Sequence, residues 1–377
     1  MNTDIPYTVV TKEAPEPQYQ LTVITVCWNA LADLKPTVES VLAQKAKGSI
    51  SIEHVVVDGA STDGTPEWLA EQLAAGNIER YVSEPDRGIF DAMNKGINLA
   101  RGRVLAFLNA ADRYRDGEDL APCVLPICRG ETESVGAWAY RPNHPAFPEY
   151  KTSFPLMYLH CPCCHQAWFA SARAYRELGG YDVHGLVCSS DTDIILRICH
   201  MAGGPMQHDA FVVDFPLGGF SSYWSENWRH ENMEIHWRNR EDILSRCAED
   251  RDFRLVMEAF FVDNCYQFRD WQERHGKRVP EQLRKLREMC RLLAPQAHNH
   301  RARLALRYLS ACYLPPLIRG RKCSRLNRFL CRMCTHTCFI TGGNKYSQWA
   351  WTPNIPFSST RFGKRLRRIL GKLRLAG

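Results

Sequence analysis

Polar side chains stand just past a series of short apolar runs in the first 112 residues. Asn29 follows Leu21–Trp28, Asp58 follows His54–Val57, the Glu84-Pro85-Asp86-Arg87-Gly88 loop follows Ile78–Ser83, and Asp112 follows Val104–Leu108. A carboxylate in such a place can accept hydrogen bonds, share a hard divalent cation, or take a proton from a hydroxyl. A solvated loop explains any one of them; carboxylates after three successive runs point to a common rim. A second polar cluster holds His165, Gln166, Asp191, Asp193 and Arg197. A third comprises Cys323, Cys331, Cys334, His336 and Cys338. Cys331-x-x-Cys334 has the bite of half a tetrahedral zinc site, but the other half is cramped among basic residues, so zinc and plain thiols both stay open.

The elements that must position these groups alternate. Residues 21–28 read as a strand buried on both faces, and a helical pattern follows at Leu34, Val38, Val41 and Leu42, with Asp33 as its expected cap. Strand 54–58 is broken by Gly59–Gly64, and a helix starts near Thr65-Pro66-Glu67. Strand 78–83, helix 89–100 and strand 104–108 continue the series. Alternation at this pace predicts βαβ units and an α/β fold with a mainly parallel sheet flanked by helices. Ligands in such sheets bind beyond the carboxyl ends of the strands, where the polar residues fall. From about residue 224 the pattern changes to charged helical segments at 225–245, 252–272 and 280–293.

Four motifs occur in order: Thr25-Val-Cys-Trp-Asn29, Val57-Asp-Gly-Ala-Ser-Thr-Asp-Gly-Thr65, Glu84-Pro-Asp-Arg-Gly-Ile-Phe-Asp-Ala-Met-Asn-Lys-Gly96 and Phe107-Leu-Asn-Ala-Ala-Asp112. Together they resemble the nucleotide-sugar domain of family 2 glycosyltransferases with the Rossmann-like GT-A fold, closest to the bacterial exopolysaccharide and colanic-acid branch. The resemblance covers residues 20 to about 220. It implies residues 1–19 as an N-terminal tail and 20–222 as the glycosyltransferase domain. The pattern beyond gives 223–300 as a helical extension and 301–377 as a basic, Cys-containing tail.

The resemblance implies a donor site at Thr25, Cys27, Asn29, Asp58, Asp86, Gly88, Asn94 and Asn109. Asp58 would accept hydrogen bonds from a base or ribose, and Gly88 would let backbone approach the sugar; a loop cap is the plainer reading of Asp58. Asp63, before Gly64, reads as such a cap. Asn109-Ala-Ala-Asp112 stands where the family usually has Asn-Ser-Asp-Asp, so Ala111 replaces one carboxylate and Asp112 is left to meet Mg²⁺ or Mn²⁺ with the diphosphate. The segment from His165 through Tyr175-Arg-Glu-Leu-Gly-Gly-Tyr-Asp182 to Ser190-Asp-Thr-Asp-Ile-Ile-Leu-Arg197 resembles the acceptor half. There Asp191 matches the general base of an inverting transfer, with His165, Gln166 and Asp193 at the acceptor; Ser190 departs from the acidic or small residue usual before that base. Helix capping by Asp191 and simple packing of His165 are the structural alternatives.

The chain has 377 residues, 45% apolar and 24% charged, which excludes collagen-like and wholly disordered classes. Residues 1–220 carry 17 Lys+Arg against 27 Asp+Glu, a charge of −10, and residues 221–377 carry 31 against 14, or +17. An acidic front and a basic rear assign chemistry to the first and docking to the second. The last segment, Arg361–Leu375, spaces Phe362, Leu366, Ile369, Leu370 and Leu373 on one helical face among basic residues, as for an anionic membrane surface where lipid-linked acceptors reside. A solvated tail is the plain alternative. No nucleic-acid partner is expected, because no stacking motif accompanies the charge. No apolar run reaches membrane-span length and no secretory core opens the chain, so the expected place is cytoplasmic, with reduced thiols and peripheral membrane contact. The expected partners are a nucleotide-diphosphate sugar donor and a glycan or lipid-linked acceptor. The alternatives to an enzyme are a catalytically silent glycan-binding or scaffold protein of the same fold, prompted by Ala111, and, behind it, a nucleic-acid-binding protein acting through the basic tail.

Overall fold

The computed structural model describes residues 6–13, 15–140, 149–150, 164–202, 204–216, 226–251, 253–254, 257–258, 261, 265, 280–297 and 300–319. The Cys323–Cys338 cluster and the Arg361–Leu375 segment lie outside the described residues. By contacts the chain divides into Met1–Ser245 and Arg246–Gly377.

The first unit is built on strands β1 (Tyr19–Cys27), β2 (Ile52–Asp58), β3 (Arg80–Ser83) and β4 (Gly102–Phe107). These pair in parallel, in the order β3-β2-β1-β4. Leu21, Val23, Ile24, Val55, Val56 and Val57 have no exposed surface. Each such side chain contributes roughly 1.5–3 kcal/mol on burial, far more than the chain's surface ion pairs, so the two-sided apolar runs decide the architecture. Helices α1 (Leu31–Lys47), α2 (Thr65–Ala74) and α3 (Ile89–Leu99) fill the crossovers. Gly96 lets α3 lie directly on the sheet: a Cβ there would stand 2.3 Å from Ile24 Cγ2.

The helix starts differ from expectation at one place. Helix α1 begins at Leu31, so Asp33 is inside it and does not cap it. The cap comes from another loop: Asp63 Oδ2 accepts the Leu31 N–H at 2.9 Å, while Asp63 Oδ1 accepts from the Thr65 N–H and hydroxyl. One carboxylate therefore serves the amino ends of both α1 and α2, and its proton affinity is lowered first by the Thr65 hydroxyl.

The sheet continues past β4 with strands of mixed direction. β5 (Arg113–Tyr114), β6 (Ser134–Tyr140), β7 (Glu149–Tyr150), β8 (Trp168–Ser171) and β9 (Met206–Asp214) extend it to nine strands in the order β3-β2-β1-β4-β8-β6-β9-β5, with β7 on β6. β8 is antiparallel to both β4 and β6. Helices α4 (Ala121–Cys128), α5 (Ala172–Glu177), α6 (Ser190–Ala202) and α7 (Glu226–Arg238) complete this unit up to α8 (Arg240–Glu249), which spans the division. Thus α7, read from sequence as the start of an extension, falls in the first unit by contacts. Residues 7–11 are fastened to it as well: Thr8 N–H meets Asp91 Oδ1 at 2.7 Å, and Arg87 lies 3.9 Å over the Tyr7 ring. No disulfide joins the described cysteines.

The second unit contains a helix at Pro280–Leu293, as the spacing predicts, then His300–Tyr308, a π-helical turn Leu309–Tyr313 and a short helix Leu314–Ile318. No described helix is long and apolar enough to cross a membrane.

Candidate active site

Three backbone positions mark one edge of the sheet. Asn29 (φ 48°), Ala60 (φ 60°) and Ala111 (φ 83°) are the non-glycine residues of left-handed conformation among those described, and they follow β1, β2 and β4. Such a conformation costs about 1–2 kcal/mol per residue and persists where neighbouring bonds fix it. Here they do. Asn29 Oδ1 accepts the Thr62 N–H at 2.8 Å, the Asn29 N–H reaches Ser61 Oγ at 2.7 Å, and the Ala111 N–H meets the Asp33 carbonyl at 3.2 Å.

Asp58 ends β2, in register with Cys27 on one side and Ser83 on the other. It is fully buried, and its carboxylate accepts from the Ser61 N–H (3.0 Å), the Ser61 hydroxyl and the Ser83 hydroxyl (2.6 Å). Cys27 Sγ is 3.8 Å from the same carboxylate; burial first, and then Asp58, push its thiol well above the ordinary range, so it stays protonated. Thr25 faces His54 within the sheet, 2.9 Å from Nε2. Asp86 sits against Gly59, where a Cβ would stand 2.8 Å from Asp86 Oδ2. Asp86 Oδ1 accepts the Gly88 N–H at 2.8 Å, and burial raises the carboxyl's proton affinity against that bond. Gly88, at φ 118°, turns the chain into α3, and Lys95 holds the loop through Glu84 and the Pro85 carbonyl, both at 2.8 Å. Asp58 and Asp86 thus occupy one neighbourhood.

The loop after β4 carries Asn109 and Asp112. Thr37 Oγ1 donates to the Asp112 carbonyl at 2.8 Å, which ties the loop to α1. The Asp112 side chain is buried; burial pushes it well above the usual carboxylate range despite hydrogen bonds from the Gln166 side chain and the Asn109 backbone. Asn109 Oδ1 is buried with no hydrogen-bond partner among the described residues. An acceptor in that state has room for a further donor or a cation.

From Asp112 the contacts run onward to the second cluster. Gln166 follows His165, whose ring stacks on Phe107 at 5.2 Å and whose Nε2 lies 2.7 Å from the Tyr181 hydroxyl. Burial pushes the His165 pKa down to about 3, so the ring is neutral at ordinary pH. Asn94 clamps the Tyr181 backbone, accepting its N–H at 2.9 Å and donating to its carbonyl at 3.0 Å. Burial first, then Tyr175 and lastly the Asp191 charge hold the Tyr181 phenol protonated. Asp191 opens α6, where its Oδ1 accepts the Thr192 N–H at 2.7 Å. Burial nevertheless raises its pKa to about 6, with Glu231 contributing in the same direction. Asp193 is bound to Arg197 Nε at 2.7 Å, and Arg197 also donates to the Leu178 and Gly180 carbonyls. Asp193 is therefore part of the brace under the 178–181 turn.

The family model described as "Glycosyl transferase family 2" matches residues 22–183. An uncharacterized glycosyltransferase of Mycobacterium tuberculosis (strain CDC 1551 / Oshkosh) is 33% identical over 212 residues, 54% of this chain and 77% of that protein. The chain belongs to glycosyl transferase family 2. A PGL/p-HBAD biosynthesis glycosyltransferase of Mycobacterium bovis (strain BCG / Pasteur 1173P2) is 27% identical over 49% of this chain and 75% of its own. In fold, this family 2 chain is similar to Staphylococcus aureus TarS residues 1–349, solved with UDP-GlcNAc, at a TM-score of 0.59 and 14% identity over 81% of this chain and 93% of that one. The GT-A architecture expected from the motifs is thereby shown.

Four residues of the site have no signal of their own in the sequence. Tyr181, whose backbone and hydroxyl join Asn94 to His165, sits in a quoted stretch but has no signal of its own. Ser61, in the loop after β2, and Ser83, at the end of β3, both bind Asp58. Glu231 lies on α7, 7% exposed, inside a stretch of charged helix where one glutamate looks like any other.

Proposed function

We propose that this glycosyltransferase moves a hexose-type sugar, with inversion, from a nucleotide-diphosphate sugar to a glycan or lipid-linked acceptor in bacterial surface polysaccharide synthesis, of the exopolysaccharide and colanic-acid type. The observation that supports this reading is that the Gln166 side chain bonds Asp112 while its neighbour His165 bonds Tyr181, whose phenol feels the charge of Asp191 at the amino end of α6.

In this reading Asp58, Asp86 and Gly88, with Thr25, Cys27, Asn29 and Asn94 forming the frame, receive the nucleotide and sugar. Asp191 takes the proton of an acceptor hydroxyl as that oxygen bonds to the anomeric carbon, while the bond from that carbon to the diphosphate oxygen breaks. The nucleoside diphosphate leaves and inversion follows from the single displacement. A pKa near 6 keeps Asp191 ionised at neutral pH yet basic enough to accept the proton. Helix capping is compatible with this, since the Thr192 N–H that Asp191 Oδ1 accepts also orients the carboxylate.

Asp112 and the unpartnered Asn109 Oδ1 fit a hard divalent cation that takes its remaining oxygens from the diphosphate and water. Mg²⁺ or Mn²⁺ would there offset the charge that builds on the departing diphosphate. No group of three or more His, Cys, Asp or Glu among the described residues could hold a metal without such co-ligands. Ala111 also supports a second reading, a glycan-binding scaffold without turnover. Nucleotide-sugar turnover across UDP-, GDP- and dTDP-sugars, with and without Mn²⁺, separates the two: metal-dependent release of nucleotide supports the enzyme, and binding without release from every donor supports the scaffold. The basic rear, with its Arg361–Leu375 stripe, is proposed to hold the protein on the inner face of an anionic membrane; unchanged sedimentation with vesicles after truncation near residue 300 would contradict that.

A further inference from the structure

The loop that leads into Asp191 is fastened from α7 at two points. At its near end the Asp182 carboxylate accepts from the His184 and Gly185 N–H groups, at 2.8 and 3.1 Å, and is paired with Arg238 at 2.5 Å. At its far end Glu231 accepts the N–H groups of Val187, Cys188 and Ser189, at 2.9, 2.9 and 2.8 Å. Glu231 and Arg238 are seven residues apart, so they share a face of α7 about 10 Å apart along its axis. Ser189 does double duty: its carbonyl accepts the Asp193 N–H at 3.1 Å and so begins α6, the helix that carries Asp191.

We propose that Glu231 is a positioning residue for Asp191, gathering three successive backbone donors so that the first turn of α6 presents the Asp191 carboxylate in one place. The proposal rests on the reading of Asp191 as general base. A carboxylate with so little exposure is costly unless its oxygens are satisfied, and here consecutive N–H groups satisfy them. A neutral side chain would leave some of those donors unmet and free the loop to move. Charge matters too. Glu231 from α7 and Tyr181 from the preceding loop interact electrostatically with Asp191, and the paired Asp193 and Arg197 lie on its own helix. Removing the Glu231 charge removes a repulsion that holds Asp191 toward its protonated form.

The test compares Glu231→Gln and Glu231→Asp with wild type in glycosyl transfer, each checked for folding by the thermal shift that UDP or GDP induces. Glu231→Gln is expected to lower kcat about tenfold or more, leave the donor KM within about threefold, and move the acid limb of the kcat/KM profile to lower pH. Glu231→Asp, which keeps the charge, is expected to lower kcat with the acid limb in its wild-type place. If Glu231→Gln does not fold, the Glu231→Asp result decides. Wild-type kcat in a folded variant overturns the proposal, and so does a loss confined to donor KM. Asp191→Asn is run alongside: if it retains full transfer, the base reading fails, whereas a dead Asp191→Asn beside fully active Glu231 variants defeats the positioning role alone.

Discussion

His165 Nε2 and the Tyr181 hydroxyl lie 2.7 Å apart with both rings buried, and Phe107 packs against each of them. This pair joins the turn that precedes β8 to the segment that leads into α6. It also gives His165 a defined task as a neutral, packed ring, the alternative that a histidine beside cysteines leaves open.

Replacing His165 by Phe is expected to cost about 1–3 kcal/mol of stability at pH 7, because the buried Tyr181 hydroxyl loses one of its partners. The pH dependence has a fixed sign. A histidine with pKa about 3 when folded and an ordinary value when unfolded binds its proton only on unfolding over that range, so its contribution is present above about pH 6.5 and lost as pH falls. His165→Phe therefore flattens the acid side of the stability curve by roughly 1.4 kcal/mol per pH unit relative to wild type. Urea unfolding of both proteins from pH 7 to 4 measures this; parallel curves would contradict the assignment.

Asp191 has the opposite sign. Its pKa of about 6 lies above the unfolded value, so ionisation between about pH 4 and 6 costs stability that the neutral form does not. Asp191→Asn should be more stable than wild type at pH 7, by up to about 3 kcal/mol, and equal to it near pH 4. In wild type, log kcat/KM should rise with unit slope below about pH 6 and then level. Denaturant titrations and a pH–rate profile check the two halves separately.

Ala111 offers a test with two directions. At φ 83° its Cβ is strained, and Ala111→Gly should gain on the order of 0.5–1 kcal/mol. Ala111→Asp tolerates the conformation and restores a second carboxylate beside Asp112, so half-maximal turnover should need less Mn²⁺, by about tenfold. An unchanged Mn²⁺ requirement would remove this loop from the metal account.

Asp58→Asn keeps shape and loses charge among the Ser61 and Ser83 donors. Its nucleotide affinity should fall at least about tenfold, which lowers the stabilisation by saturating nucleotide by about 1.4 kcal/mol. Thermal shifts with UDP and GDP report it directly.

Much of the parallel half was legible because two-sided burial writes itself as unbroken apolar runs: β1, β2 and β4 were expected within a few residues of where they lie. The strands beyond β4 were not, since Arg113–Tyr114 and Trp168–Ser171 are too short for a period to show. Asp33 misled as a cap because the real one, Asp63, comes from another loop and is a tertiary contact. The carboxylates were legible as residues after apolar runs, but the side chains that organise them were not. Asn94 spends its amide on the Tyr181 backbone, Asp193 on Arg197, and Glu231 on three N–H groups forty or more residues away. The Asp193–Arg197 pair is an i,i+4 contact that spacing does encode, but the other two depend on which segments meet, and local spacing does not encode that.

The most direct test of the central claim is the rate of sugar transfer by Asp191→Asn at pH 7.5 with saturating donor and Mn²⁺. The account predicts a loss of about 10²–10⁴-fold with donor binding unchanged; transfer at the wild-type rate would contradict it.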